Sequence, residues 1–381
     1  MHICLVYDCL YPYTVGGAER WYRNLSERLA AAGHEVTYLT LRQWPEGERA
    51  DVAGVRVVPV GPRFELYAAG GRRRIWPAVR FGLGVLGHLR RHGRRYDVVH
   101  TAATPFFGLA AIGLLRRRRG YRIVVDWHEV WTRAYWREYL GRVGGWIAWR
   151  IQRACARIPH RAFCFSRLHA RRLQDEGYRG EPTVLEGEYA GPLDPPEPGA
   201  AEPIVVYPGR HIPEKRVPAL VRAFRLAHER AGELRCVIFG DGPDRPEVLR
   251  LIDELALGGV VEAPGFVDGD RVDDALRRAL CMALPSRREG YGLVVVEAAA
   301  RGTPSVVVAD EDNAAVELVD DGVNGVIAPS ADPVDLAAAI LRVHEAGEAM
   351  RVSTAEWFAR NARRLSLESS LKTVVAAYEA G

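Results

Sequence analysis

Short apolar, β-rich runs alternate with amphipathic helical stretches on both sides of a proline-rich segment. That segment, Ala190-Gly-Pro-Leu-Asp-Pro-Pro-Glu-Pro-Gly-Ala-Ala-Glu-Pro203, holds five prolines. Proline fixes φ and removes a backbone donor, so the segment reads as an extended linker rather than helix or central strand. Before it come Ile3 to Tyr7, a helix carrying Trp21, Leu25 and Leu29, then Val36 to Thr40, Val98 to His100 and Arg122 to Asp126. After it come Ile204 to Tyr207, Cys236 to Phe239, Val260-Val261, Leu280 to Leu284 and Ser305 to Val308. Strand–helix alternation of this kind predicts an α/β chain with parallel sheets covered by helices on both faces. Two Rossmann-like, doubly wound domains facing a cleft would bind ligands at the carboxyl ends of their strands. A length of 381 residues gives each domain its own core. The expected boundaries are 1–189, a linker over 190–203, a second domain over 204–354, and a C-terminal helix within 355–381, from about Ala355 to Tyr378.

Composition narrows the class. Apolar content of 48% and charged content of 26% are those of a globular protein. No apolar stretch reaches membrane-spanning length, and Met1 to Asp8 reads as a first strand rather than a leader. Cys4, Cys9, Cys155, Cys164, Cys236 and Cys281 are scattered without a CxxC, so buried free thiols in a reducing compartment are expected. The formal charge of +4 hides an asymmetry: residues 1–200 are strongly basic and residues 201–381 are net acidic. Arg72-Arg73-Arg74, followed by Ile75-Trp76, and Arg116 to Arg119 read either as a solvated arginine face or as a surface for anionic lipid.

The most informative stretch is Pro285-Ser-Arg-Arg-Glu-Gly-Tyr-Gly-Leu-Val-Val-Val-Glu297. A strand ends before it, a glycine-rich turn follows, and a helix runs from about Leu293 to Arg301. Backbone N–H groups at such a turn make an anion site, while Glu289 and Glu297 suit hydroxyl groups beside it. An anion flanked by hydroxyls describes a sugar nucleotide. Of 52 Lys plus Arg, only Lys215 and Lys372 are lysine. Lys215 and Arg210 lie in Tyr207-Pro-Gly-Arg-His-Ile-Pro-Glu-Lys215, between a strand and a helix with apolar Leu220, Ala223, Phe224 and Ala227. A forked and a compact cation there suit phosphate; a solvated basic loop is the other reading. Gly16-Gly17 opens the first long helix but does not complete the dinucleotide fingerprint, so NAD is not indicated. His128 follows the strand Arg122 to Asp126, beside Glu129, where an imidazole can orient a substrate or move a proton. Phe239-Gly-Asp-Gly-Pro243 and Gly265-Phe266-Val267 follow strands and are turns open to a nucleotide. Asp310-Glu-Asp312 imitates a metal motif but fits an N-terminal cap on a helix over Asn313 to Val319, so no metal is expected.

Taken together these residues resemble the retaining glycosyltransferases of family 4, which have the GT-B fold. The resemblance runs over most of the chain. It rests on Gly16-Gly17, His128, Gly209-Arg210 with Lys215, Phe239 to Gly242, Gly265-Phe266, the Glu289/Glu297 pair, and Asp321-Gly-Val-Asn-Gly325. It implies that Arg210 and Lys215 hold the donor diphosphate. Gly290, Tyr291, Gly292 and Leu293 would give backbone amides to phosphate and sugar. Glu289 would bind donor sugar hydroxyls and Glu297 the ribose. Gly240, Phe266 and Val267 would contact the nucleotide, Gly16 and Gly17 would approach the donor from the other domain, and His128 would sit near the reacting centre.

The resemblance implies further a donor-binding second domain, an acceptor-binding first domain, and a last helix packing back on the first. The co-substrate would be a UDP- or GDP-linked sugar, with no cofactor and no metal, and the reaction would retain anomeric configuration. Two stretches depart from the family pattern: Glu186-Gly187-Glu188 replaces the usual Asn-Gly turn, and Ala309 to Val316 replaces a glycine-rich loop. Both bear on the donor sugar more than on the reaction. A GT-B sugar-nucleotide epimerase is the alternative enzyme class. The acceptor is a lipid or lipid-linked glycan on one reading and a soluble small molecule on the other. Nucleic acid is not an expected partner. The expected location is cytoplasmic, with peripheral attachment to the inner face of the cell membrane if the basic clusters Arg72–Arg74 and Arg116–Arg119 bind it.

Overall fold

The computed structural model describes residues 1–67, 73–194, 197 and 199–379. The chain divides into two compact units. The first takes the described residues up to Glu186 together with those from Ser370 onward; the second runs from Gly187 to Ser369.

The first unit is built on seven parallel strands: β1 (His2–Val6), β2 (Glu35–Leu41), β3 (Val55–Gly61), β4 (Val98–Ala102), β5 (Arg122–Trp127), β6 (Arg161–Cys164) and β7 (Thr183–Val184). Their order is β3-β2-β1-β4-β5-β6-β7. The central strand β1 is apolar from Ile3 to Val6 because both its faces are covered. Helices α1 (Gly17–Ala31), α2 (Ile75–His92), α3 (Phe106–Arg119), α4 (Arg133–Ala156) and α5 (Arg167–Asp175) connect them. Helix α1 buries Trp21, Tyr22, Leu25 and Leu29 at helical spacing. Helices α2, α3 and α4 share one hydrophobic core through Phe81, Val85, Leu109, Ile112, Trp136 and Cys155.

The second unit holds six parallel strands: β8 (Ile204–Pro208), β9 (Arg235–Phe239), β10 (Val261–Gly265), β11 (Cys281–Leu284), β13 (Ser305–Val308) and β15 (Gly325–Ala328). Their order is β10-β9-β8-β11-β13-β15. A two-stranded ribbon, β12 (Arg288–Glu289) with β14 (Asp312–Asn313), stands apart from them. The helices are α6 (Val217–Arg230), α7 (Arg245–Glu254), α8 (Gly269–Arg278), α9 (Leu293–Ala299) and α10 (Pro333–Leu365). Helix α11 (Leu367–Glu379) begins in the second unit and belongs to the first from Ser370.

In both sheets the strand order reverses once, between β1 and β4 and between β8 and β11. Loops leaving adjacent strands at such a point splay apart and open a crevice at the carboxyl ends. The first crevice is flanked by the loop leading to Gly16-Gly17; the second by the loops holding Arg210 to Lys215 and Pro285 to Gly292.

Several expectations need correction. The single helix expected from Ala355 to Tyr378 is two: α10 ends at Leu365, Ser366 is extended, and α11 follows. Asp310 to Asp312 do not cap an α-helix. Asp312 lies in β14, and Asn313 caps a short 3-10 turn, Ala314–Leu318, accepting from the Ala315 N–H at 3.1 Å. Of the first arginine cluster, Arg72 lies outside the described residues. Arg73 is tied to buried Asp8 at 2.5 Å, and Arg74 pairs with Glu65 at 2.9 Å. All six cysteines are free and buried. Among the described residues no helix is long and apolar enough to cross a membrane.

Candidate active site

The second unit gathers most of the named residues at its switch point. After β8 the chain runs through Gly209-Arg210-His211 into a 3-10 turn, Pro213–Lys215. Arg216, at φ 50°, reverses the chain into α6. After β11, Pro285-Ser286 leads to β12, which carries Glu289. The two loops are joined directly: the Arg287 N–H donates to the Glu214 carbonyl at 2.8 Å. Lys215 Nζ is ion-paired with Glu289 Oε1, and the Ser286 hydroxyl donates to the same oxygen at 2.7 Å. Only 18% of the lysine side chain and 12% of the glutamate side chain are exposed, so the pair is held largely out of water.

Arg210, on the same loop, is exposed. Tyr207 links it to the pair. Its buried hydroxyl donates to the Arg210 carbonyl at 2.9 Å. Burial pushes that hydroxyl well above its ordinary pKa; the Glu289 carboxylate raises it further and Arg210 pulls it back. Arg210 and Glu289 are thus both within electrostatic reach of one phenol. Asn313 fixes the ribbon beneath: its amide donates to the Ser286 carbonyl at 3.1 Å and the Val308 carbonyl at 2.8 Å. Arg216 pairs with Asp310 at 2.9 Å.

The adjoining loop after β9 is packed against this one through glycine. Gly240 sits at φ 104°, and a Cβ there would stand 1.9 Å from the Gly209 carbonyl oxygen. The buried His211 N–H donates to the Asp241 carbonyl at 2.9 Å, locking the two loops together. Phe266, immediately after β10, is 79% exposed and Val267 half-buried. Gly290 is half-buried, Tyr291 buried, and Gly292 turns the chain at φ 103° into α9, which opens at Leu293. Glu297 is half-buried on α9, and its charge reaches Tyr189.

Gly16, Gly17 and His128 belong to the first unit. Gly16 is the extended residue that starts α1, and a Cβ at Gly17 would meet nothing within 4 Å. His128 directly follows β5. Its ring stacks on Phe165 at 4.3 Å and 12°. Its Nε2 is buried without a hydrogen-bond partner. Burial holds the imidazole below its usual pKa against the pull of Asp126 and Glu129, so it is neutral near pH 7. Behind it lies a network the sequence did not reveal. Trp21 Nε1 donates to Asp126 Oδ2 at 2.8 Å, His100 Nε2 lies 2.8 Å from Asp126 Oδ1, and His100 Nδ1 bonds the Tyr378 hydroxyl.

Tyr207, Ser286 and Asn313 also escaped sequence reading. Tyr207 and Ser286 stand at strand ends, which is a signal of place but not of partner. A cavity of about 700 Å³ opens elsewhere, at the amino ends of β4, β5 and β6, lined by Arg116, Arg117, Arg122 and Arg161. It is at the opposite end of the strands from His128, and arginines closing α3 there offset the helix's carbonyl end.

The comparisons with known proteins agree in kind. Residues 195–364 match the family described as Glycosyl transferases group 1, and residues 15–187 match Glycosyltransferase Family 4. The chain is 32% identical over 141 residues to the alpha-D-kanosaminyltransferase of Streptomyces kanamyceticus, covering 37% of this chain and 36% of that protein. It thus spans only about a third of that relative's length. The sucrose-phosphate synthase structure from Thermosynechococcus elongatus superposes with a TM-score of 0.81 at 21% identity, covering 99% of this chain and 98% of that one. Anabaena HepE in complex with UDP gives 0.75 at 17% identity, with both chains fully covered.

Proposed function

This chain belongs to the family 4 glycosyltransferases of the GT-B fold, and on that premise we propose that it moves a sugar from a UDP- or GDP-linked donor to an acceptor hydroxyl, with retention and without a metal ion. The observation that carries the proposal is the desolvated Lys215–Glu289 pair beside Arg210 at the switch point of the second sheet. Breaking the anomeric bond leaves negative charge on the nucleoside diphosphate. Preplaced cations stabilise that charge most where water is excluded, and they do the work a divalent ion does elsewhere. Arg210 supplies a forked donor and Lys215 a compact one. The backbone N–H groups from Gly290 to Leu293 add dipoles at the same turn. Glu289 cannot serve an anion, so its role is to accept from donor sugar hydroxyls, with Lys215 released toward phosphate as the donor arrives. Glu297 takes the ribose.

Phe266 offers an exposed ring for a base, and the backbone at Gly240 and Val267 borders it. A nucleotide is supported by the UDP held in the HepE neighbour. By resemblance to the family, Gly16, Gly17 and neutral His128 are the first unit's part in the reaction. We take the acceptor to be a lipid or lipid-linked glycan.

Thermal-shift screening against UDP- and GDP-sugars tests the donor, because a ligand of the native state raises its melting midpoint. The stabilising donor is then incubated with EDTA and either a polyprenyl-linked or a soluble acceptor, and the product's anomeric configuration is read by NMR. Retained configuration, full activity in EDTA and use of the lipid-linked acceptor are expected. Inversion, or activity abolished by EDTA and restored by a divalent ion, overturns the mechanism. A donor isomerised without any acceptor would make the chain an epimerase.

A further inference from the structure

The outer faces of α2, α3 and α4 are apolar where a solvated surface would be polar. Trp76 and Leu83 on α2, Leu114 on α3, and Val143, Trp146 and Ile147 on α4 are all exposed, Leu114 by 72% and Val143 by 73%. Their spacing is helical: Trp76 and Leu83 are two turns apart, and Val143, Trp146 and Ile147 fall at i, i+3 and i+4. The inner faces of the same helices fill one core on one side of the first sheet, and α3 packs against both α2 and α4. Three neighbouring helices therefore carry apolar side chains on both sides. Exposed apolar side chains gathered on neighbouring helices mark a contact surface.

Charge identifies what it contacts. Helices α2 and α3 contain no aspartate or glutamate, and α4 has Glu138 alone, before its break at Gly141. Apart from exposed Glu138, the exposed charged positions on these helices are arginines, among them Arg80, Arg117, Arg142 and Arg150. The Arg150 guanidinium lies over the Trp146 ring at 5.9 Å. Tryptophan with aliphatic neighbours, ringed by arginines whose stems can lie along the patch, is the chemistry of a headgroup boundary. A second copy of this chain would oppose like charge to like charge. A nucleic acid would leave Leu114, Val143 and Ile147 in water.

We infer that the outer face of α2, α3 and α4 docks on an anionic phospholipid bilayer. This deepens the lipid-linked acceptor proposed above and rests on that reading for its purpose, while the surface itself is defined by the helices alone. It takes in Trp76 and Arg117 from the stretches legible in the sequence, whereas Arg73 and Arg74 are spent on Asp8 and Glu65.

Co-sedimentation with vesicles of phosphatidylcholine, with and without a third phosphatidylglycerol, tests it. Two variants of the full chain accompany the wild type, Trp146→Ser/Ile147→Ser and Arg142→Glu/Arg150→Glu, each checked by near-UV circular dichroism. All four side chains are exposed, and neither variant touches the donor site. The wild type is expected to partition at least about tenfold better into anionic vesicles, with high salt weakening the preference. Each folded double variant should lose at least about tenfold. Equal sedimentation with both lipids, or variants that bind like the wild type, overturns the inference. So does a wild-type dimer in light scattering that Trp146→Ser/Ile147→Ser converts to monomer, which would make the face a contact between copies. Stabilisation by the sugar nucleotide is measured on the same samples. Its absence alongside normal vesicle binding would strike the transferase mechanism and leave this surface standing.

Discussion

Lys215 and Glu289 answer each other's charge while both wait for a ligand. Removing one partner strands the other in a nearly dry place, which costs about 1–3 kcal/mol. Glu289→Gln should therefore lower both the melting midpoint and transfer, the latter by about 100-fold because the charged acceptor that orients the donor sugar is lost. The double variant Lys215→Met/Glu289→Leu separates the two effects. Apolar replacement of a buried pair is often neutral for stability, so the midpoint should recover while transfer stays lost. Activity returning along with stability would show that the pair is only structural. Gly240 is constrained by space instead. With φ at 104° and the Gly209 carbonyl 1.9 Å from a built Cβ, Gly240→Ala must push the loops after β8 and β9 apart. Loss of sugar-nucleotide stabilisation is expected there, with none in Gly232→Ala, whose Cβ meets nothing within 4 Å.

Helix α11 returns the chain to the first unit, where it buries Leu371, Val374 and Tyr378. Tyr378 is buried and bonded to His100, which lies against Asp126; Asp126 holds Trp21, Trp21 packs edge-on to Phe165 at 5.1 Å, and Phe165 stacks on His128. The last helix thus shares a network with the imidazole read as catalytic. Tyr378→Phe leaves the shape intact and deprives a buried histidine nitrogen of its partner, at about 1–3 kcal/mol. Faster hydrogen exchange along α11 and a fall in kcat with the donor KM little changed are expected. Exchange at the wild-type rate would show that the hydroxyl does not hold the helix. The break before α11 carries a sequence signal in Ser366. Ser366 accepts from the Ser369 N–H at 3.2 Å as a cap. What makes it a break is tertiary: Tyr189 donates to the Leu365 carbonyl at 3.1 Å and accepts from the Leu367 N–H at 2.8 Å. Gly187, noted in sequence only as a departure from a family turn, sits where a Cβ would meet the Ser366 carbonyl at 2.1 Å.

Parallel sheets were legible because strands buried on both faces are mostly apolar, as Val306 to Val308 and Cys281 to Leu284 are. Strand order was not, since nothing local in β8 states that β11 will lie beside it. Nor were the surroundings of four histidines, His211 buried and His88, His128 and His160 half-buried. These give the molecule a pH dependence with a definite sign. Burial lowers the pKa of His88, His128, His160 and His211, with His88 and His160 brought to about 4. His160 shows why: its Nδ1 donates to the Ile158 carbonyl at 2.5 Å, leaving Nε2 to accept from Trp127 Nε1 at 3.1 Å, so a second proton has no place. The unfolded chain takes that proton near pH ~6.5 and the folded one does not, so stability is present above that value and is lost as pH falls toward about 4. Each such histidine adds at most about 1.4 kcal/mol per pH unit to the slope. Asp126 acts in the same direction only below its own ordinary range, because its pKa is lowered: burial opposes ionisation but His100 outweighs it. Glu176, raised chiefly by burial, acts the other way. Calorimetric midpoints should therefore be level between about pH 7 and 8 and fall steadily below about pH 6.5. His160→Gln supplies one donor and one acceptor without a titrating ring, and it should flatten that fall. A slope unchanged from the wild type would mean that His160 is protonated in the folded chain and that its bond from Trp127 is not held there.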